Sequence, residues 1–203
     1  MDFDETPFIE PSPDEEAWEA YLGFAMERLG DDRAGGLTNA ALGELEDIVG
    51  HQLPFEVGLL LVMGQPDTPP WVQWDDDPAG LWATWTAGLL AGLVESVDDG
   101  LWLAPWGPRP DEGTERHEIV AGALAASPLF PLWGHCAVPL VTAAGHSTTD
   151  NNPIVSVSGA TVAVAGIDLA AWMHNCFGVP LPMWPPELER RFPLWSELID
   201  SAP

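Results

Sequence analysis

Lysine does not occur in this sequence, and the basic side chains are six arginines set against 32 aspartates and glutamates, a formal net charge of −26. Affinity for DNA or RNA rests on lysine and arginine neutralising phosphates. So poor a supply of cations excludes a nucleic acid as a direct ligand, and the same repulsion disfavours an anionic membrane surface. Cysteine is scarce as well. Cys136 and Cys176 cannot make a disulfide framework. They sit in apolar stretches, read as small buried hydrophobes, and imply a reducing cytoplasm. The start, Met1-Asp2-Phe3-Asp4-Glu5, lacks the positive segment that opens a signal peptide. Long hydrophobic runs are missing too. Pro78–Val94 is short and broken by glycine, and Ile119–Thr149 is interrupted by Pro128, Pro131 and Pro139, whereas a transmembrane helix needs about 20 apolar residues.

The motifs that announce chemistry are absent. There is no phosphate-cradling glycine loop, paired-histidine metalloprotease helix, zinc or calcium pattern, or nucleophile elbow. No bound metal and no cofactor are expected, and no catalytic residue is assigned. The densest polar cluster is His135, Cys136, His146, Asp150, Asn151 and Asn152. In principle Cys136 could act as a nucleophile with His135 or His146 as base, or the histidines and Asp150 could hold a metal. Against this, Cys136 lies in a strand-like apolar run, which favours a packing role.

What is present is 203 residues, 46% hydrophobic, with eleven tryptophans, enough for one domain with a real core. Residues 1–11 read as an acidic, loose leader. Ser12, Pro13 and Glu15 then form a helix start with a capping box, followed by Trp18, Tyr21, Leu22, Ala25 and Leu29 at helical spacing. A second helix is expected over 38–49, burying Ala41, Leu42, Leu45, Ile48 and Val49 and stopped by Gly50. A third opens at Pro54 with Phe55, Leu59, Val62 and Met63 as its buried stripe. Trp82, Trp85 and Leu89 suit a helix that Gly80, Gly88 and Gly92 weaken.

Asp98-Asp99-Gly100 between Val94–Val97 and Leu101–Leu103 reads as a hairpin turn. Trp106–Asp111 reads as a proline-rich turn, 115–126 as a helix with Ile119, Val120, Ala123 and Leu124 inward, and Phe130–Pro139 as one strand. Ile154–Val157 and Thr161–Ala165 form a hairpin around Ser158-Gly159-Ala160. A last clear helix starts near Asp168, buries Leu169, Trp172, Met173, Cys176 and Phe177, and stops at Gly178. A proline-rich extension from 179 to 203, with a short helical piece at Glu187–Phe192, is expected to pack on the domain. Helices first and hairpin-linked strands later indicate an α+β fold, with a central, mostly antiparallel sheet flanked by helices.

Several segments in order resemble the SUKH superfamily. Glu44-Leu45-Glu46-Asp47-Ile48-Val49-Gly50-His51-Gln52-Leu53-Pro54, with Gly64-Gln65 after the next helix, is similar to its N-terminal signature. Gly100–Pro110, which contains Trp106-Gly107-Pro108-Arg109-Pro110, resembles its tryptophan-glycine-x-arginine-proline segment. Leu129–His135, Asn152–Val157 and Gly166–Leu169 resemble its later strands and last helix. The motif residues are thus Trp106, Gly107, Arg109, Pro110, Gly134, His135, Asn152, Pro153 and Ser156. The chain departs from that pattern at Cys136, where the family has arginine, and at Ser158 and Thr161, where it has an aromatic residue and an aspartate. The resemblance, over roughly residues 38–178, implies a single domain of the superfamily's α+β fold, and a bacterial immunity protein that neutralises polymorphic toxins, nucleases among them.

Charge supports a basic protein partner independently, since complementary charge speeds encounter and selects partners. Solubility of a tryptophan-rich domain is the alternative use of that charge. Trp102 and Trp106, beside Asp98 and Asp99, are the first candidates for partner contact. Asp75, Asp76 and Asp77 are further ones, although such a run is also an ordinary solvated loop or helix cap. Other readings of the chain are a regulatory or scaffold domain with no toxin partner, and an enzyme using the His135–Asn152 region.

Overall fold

The protein is described by a computed structural model over residues 15–30, 35–141, 152–182 and 191–201. The expected leader, the Ser12–Pro13 cap, His146, Asp150, Asn151 and most of the Glu187–Phe192 piece lie outside these residues.

Helix α1 (Glu15–Leu29) buries Trp18, Tyr21, Leu22, Ala25 and Met26. Its spacing of three and four residues makes one apolar face. Helix α2 (Asn39–Val49) begins where the Thr38 hydroxyl accepts the Ala41 N–H at 3.2 Å. It ends at Gly50, whose φ of 78° is the left-handed conformation glycine adopts without a steric cost. Leu45 and Val49 are buried, but Ile48 is 36% exposed, so the buried stripe is narrower than the periodicity suggested. Helix α3 (Phe55–Met63) turns a different face inward from the expected one. Glu56, Val57, Gly58, Leu60 and Leu61 are buried, while Phe55 is 37% exposed. Almost every residue of this helix is apolar, so its sequence alone does not choose a face.

Helix α4 (Pro78–Asp98) forms where Trp82, Trp85 and Leu89 indicated one, with its glycines inside it, and corrects one expectation: Val94–Val97 forms its last turn, not a strand. Leu89, Leu93 and Val97 recur at helical spacing and are buried, so packing outweighs the propensity cost of each glycine. Asp98-Asp99-Gly100 is therefore a helix stop, with Gly100 at φ 117°, and Leu101–Leu103 runs as irregular chain into a 3₁₀ turn at Ala104–Trp106. Helix α5 (Gly113–Ala125) buries Val120 and Leu124.

Four strands follow: β1 (Leu129–Trp133), β2 (Cys136–Pro139), β3 (Ile154–Ser158) and β4 (Thr161–Gly166). They form an antiparallel sheet in the order β1-β2-β3-β4. The expected single strand over 130–139 is thus a hairpin, turning at Gly134-His135 with Gly134 at φ 56°. The hairpin over 154–165 forms as expected, with Val157 opposite Val162 and Ser158 opposite Thr161. Helix α6 (Leu169–Phe177) is capped by Asp168, whose carboxylate accepts the Ala171 N–H at 2.6 Å. Cys136 is buried, but Cys176 on α6 is exposed, contrary to the inward placement expected of it. The last helix among the described residues, α7 (Trp195–Ser201), lies beyond the anticipated 187–192 piece. It is anchored by buried Trp195, whose indole N–H donates to the Ser127 carbonyl at 2.7 Å.

Strands β1 and β2 are buried on both faces, whereas β4 at the sheet's edge leaves Thr161, Ala163 and Val164 exposed. On one side Phe130, Leu132, Cys136, Val138 and Ile154 pack with α1, α2, α3 and α6. On the other Leu129, Ala137, Val155, Val157 and Val162 pack with α4, α5 and α7. Successive residues of a strand point to opposite faces, so a sheet covered on both sides reads as unbroken apolar runs rather than as alternation. The result is an α+β domain of three layers, and no described helix is long and apolar enough to cross a membrane.

Candidate functional site

Glycine 100 reverses the chain at the end of α4 and lays residues 101–112 back across that helix end. The aligned peptide dipoles leave partial negative charge at a helix C-terminus, and Asp98 and Asp99 add two carboxylates there. Such a terminus needs cations, and two arginines supply them. The Arg109 guanidinium donates to the carbonyls of Val97 at 2.7 Å and Gly100 at 3.4 Å. Arg116 on α5 donates to the carbonyls of Pro110 and Asp111 at 3.1 and 2.7 Å and reaches the Asp98 carboxylate at 4.0 Å. His117 Nε2 is 3.0 Å from the same carboxylate. The hydrogen bond from His117, with the positive charges of Arg116 and Arg109, holds the Asp98 carboxyl below the ordinary aspartate range.

Two indoles complete the surface. Trp102 and Trp106 meet edge to face, ring centres 5.1 Å apart, and the Trp102 N–H donates to the Gly107 carbonyl at 2.7 Å. Both are half-buried against the α4–α5–α7 layer. The structure therefore gathers Asp98, Asp99, Trp102, Trp106, Gly107, Arg109 and Pro110 into one acidic and aromatic surface. Arg109 holds the turn through backbone carbonyls. Arg116 and His117 were not anticipated. They lie on a separate helix, and only the folding of the 101–112 segment brings them to Asp98.

Asp75, Asp76 and Asp77 do not join this surface. They stand at the opposite end of α4, about 30 Å away along a helix of 1.5 Å rise per residue. Asp77 is that helix's N-cap, its carboxylate accepting the Gly80 N–H at 3.0 Å.

The remaining motif residues serve the sheet. Gly134 donates its N–H to the Pro70 carbonyl at 2.8 Å, and Ser156 pairs with Cys136 and Ala163. Asn152 is fully buried. Its side-chain amide donates to the Pro139 carbonyl at 2.9 Å, and its backbone N–H donates to the buried Glu56 carboxylate at 3.3 Å. Pro153 leads directly from this tie into β3. His135 is exposed on the β1–β2 turn, its ring 6.5 Å from that of Trp133. The adjacent Cys136 is buried, and burial pushes its thiol up, away from the thiolate a nucleophile requires. Among the described residues no group of three or more histidine, cysteine or acidic side chains is placed to hold a metal.

No protein-family model, curated protein or solved structure matches this chain.

Proposed function

We propose that this chain is a non-catalytic protein-binding module for a basic partner, and that it acts in the bacterial cytoplasm as an immunity protein neutralising a polymorphic toxin, with nucleases among the candidates. The immunity role draws on the ordered SUKH-like segments. The basic partner draws on one structural observation: each described arginine is already engaged by its own chain. Arg28 stands over the Phe24 ring at 5.0 Å, Arg109 and Arg116 close the end of α4, and Arg191 pairs with Asp200 at 2.7 Å. The rest of the acidic surface is left for an outside cation to neutralise. A nuclease carries cations to hold phosphates, and an array of carboxylates presents the same charge.

Charge of this kind steers encounter, and the aromatic pair supplies contact area that slows release. The test is co-expression with a basic toxin domain encoded beside the gene, together with stopped-flow association of the two purified proteins. Growth restored by the chain, and an on-rate that falls steeply as the screening length drops from about 10 Å to 3 Å, are the expected results. Toxicity unrelieved removes the immunity role. An on-rate indifferent to salt removes electrostatic steering and leaves the acidity as a solubility device.

A further inference from the structure

A second surface lies on the opposite helical layer. Helices α1, α2 and α3 leave an open groove of about 530 Å³ between them. Its floor is apolar: Leu42 from α2, Leu53 and Pro54 from the connection, and Phe55, Leu59 and Val62 from α3. Phe55 is 37% exposed although it opens an otherwise well-packed helix. Gly58 lines the groove where α3 faces Leu42 of α2. The charged side chains on the rim are Glu15, Glu19 and Glu46, and its neutral polar groups are Asn39 and Gln52. Among the described residues no lysine or arginine lines it. One oxygen of Glu46 accepts the Leu53 N–H at 2.9 Å, which holds this carboxylate in place at the groove's edge.

An apolar floor with a one-sign rim selects its occupant by chemistry. A second copy of this chain would bring a charge of −26 against the same sign. A neutral apolar ligand would leave three carboxylates uncompensated. A short amphipathic helix satisfies both parts: apolar residues at i, i+3, i+4 and i+7 fill the floor, and lysine or arginine on its flanks meets the glutamates. We infer that the α1–α2–α3 groove docks a basic amphipathic helix of a partner protein. The inference rests on the basic-partner reading above and adds a second contact, remote from Trp102 and Trp106.

The probe is a fluorescein-labelled 18-residue peptide of leucine and lysine with leucine at those helical positions. Its control has the same composition scrambled so that no apolar face forms. Binding to the full chain is read by fluorescence anisotropy, and the contact residues by amide shift changes in NMR spectra. The patterned peptide is expected to bind at least tenfold more tightly than the scrambled one, with shift changes centred on α2 and α3. Phe55→Ala, and separately Glu15→Gln/Glu19→Gln/Glu46→Gln, should each weaken it about tenfold. Asp75→Asn/Asp76→Asn/Asp77→Asn removes the same charge elsewhere and should change it less than twofold.

Equal binding of the two peptides, equal loss in the two triple variants, shift changes away from α2 and α3, or no binding would overturn the groove assignment. So would a dimer that Phe55→Ala abolishes, or peptide binding that appears only after residues 1–11 are deleted, since either names a different occupant. If the groove fails while association with a basic protein stays salt-steered, the basic-partner reading stands without it.

Discussion

Gly92 of α4 lies against Gly159 in the β3–β4 turn so closely that a Cβ on Gly92 would sit 2.8 Å from the Gly159 Cα. The helix crosses the hairpin with backbone against backbone. A methyl group there must push the turn off the helix, and overpacking of this kind costs about 1–3 kcal/mol. Gly88, one turn earlier, meets nothing within 4 Å. Gly92→Ala should therefore destabilise the protein in urea unfolding, whereas Gly88→Ala should stabilise it by about 0.5–1 kcal/mol through helix propensity. Equal effects at the two positions would mean that the close approach does not exist in solution.

Glu56 is a carboxylate inside the core, on the helix whose other buried residues are apolar. It accepts the Asn152 N–H and so ties α3 to the start of β3. Glu56→Ala leaves that donor without this acceptor, and the expected loss is about 1–3 kcal/mol. Glu56→Gln keeps a carbonyl oxygen at the same reach and should lose less than half as much. Denaturant midpoints of the two variants decide this, and a Glu56→Gln loss equal to that of Glu56→Ala would show that charge, not the hydrogen bond, is what matters.

Arg109 holds the end of α4 through carbonyl oxygens. Arg109→Ala should cost about 1 kcal/mol, the net scale of such hydrogen bonds. For a chain of this length that is a fall of roughly 2–4 °C in Tm. Arg109→Lys should recover little of it, because a single ammonium cannot span two carbonyls as the planar guanidinium does. Unchanged thermal stability together with lost partner binding would make Arg109 a recognition residue instead.

The Asp98 carboxyl is held down by His117, Arg116 and Arg109. A folded-state pKa below the unfolded one means that its stabilisation is complete above the ordinary aspartate range, and is lost as pH falls through the folded value. Carboxyl NMR titration should find Asp98 below the other exposed aspartates. His117→Ala should move it upward, since that hydrogen bond is the largest influence. An unmoved titration would place His117 away from Asp98 in solution.

The elements whose ends carry their own chemistry were legible in the sequence. Thr38 and Gly50 bound α2, Asp168 and Gly178 bound α6, and Ser158-Gly159-Ala160 turns the β3–β4 hairpin. A cap or a positive φ is a local requirement, met by a few adjacent residues. The net charge of −26 was likewise legible without any coordinates, because it is a sum and does not depend on the fold.

What needed the tertiary structure was every choice between two locally acceptable states. Asp98-Asp99-Gly100 suits a hairpin turn as well as a helix stop, and burial of Leu89, Leu93 and Val97 decided for the helix. Phe130–Pro139 reads as one strand because both faces of β1 and β2 are covered, so no polar alternation marks the turn at Gly134. The apolar face of α3 was open for the same reason, and with it the exposure of Phe55 and the burial of Glu56. The acidic and aromatic surface belongs to this class too. Asp98 meets Arg116 and His117 only because α5 packs beside α4, and side chains that far apart in sequence find each other by packing, which no local pattern encodes.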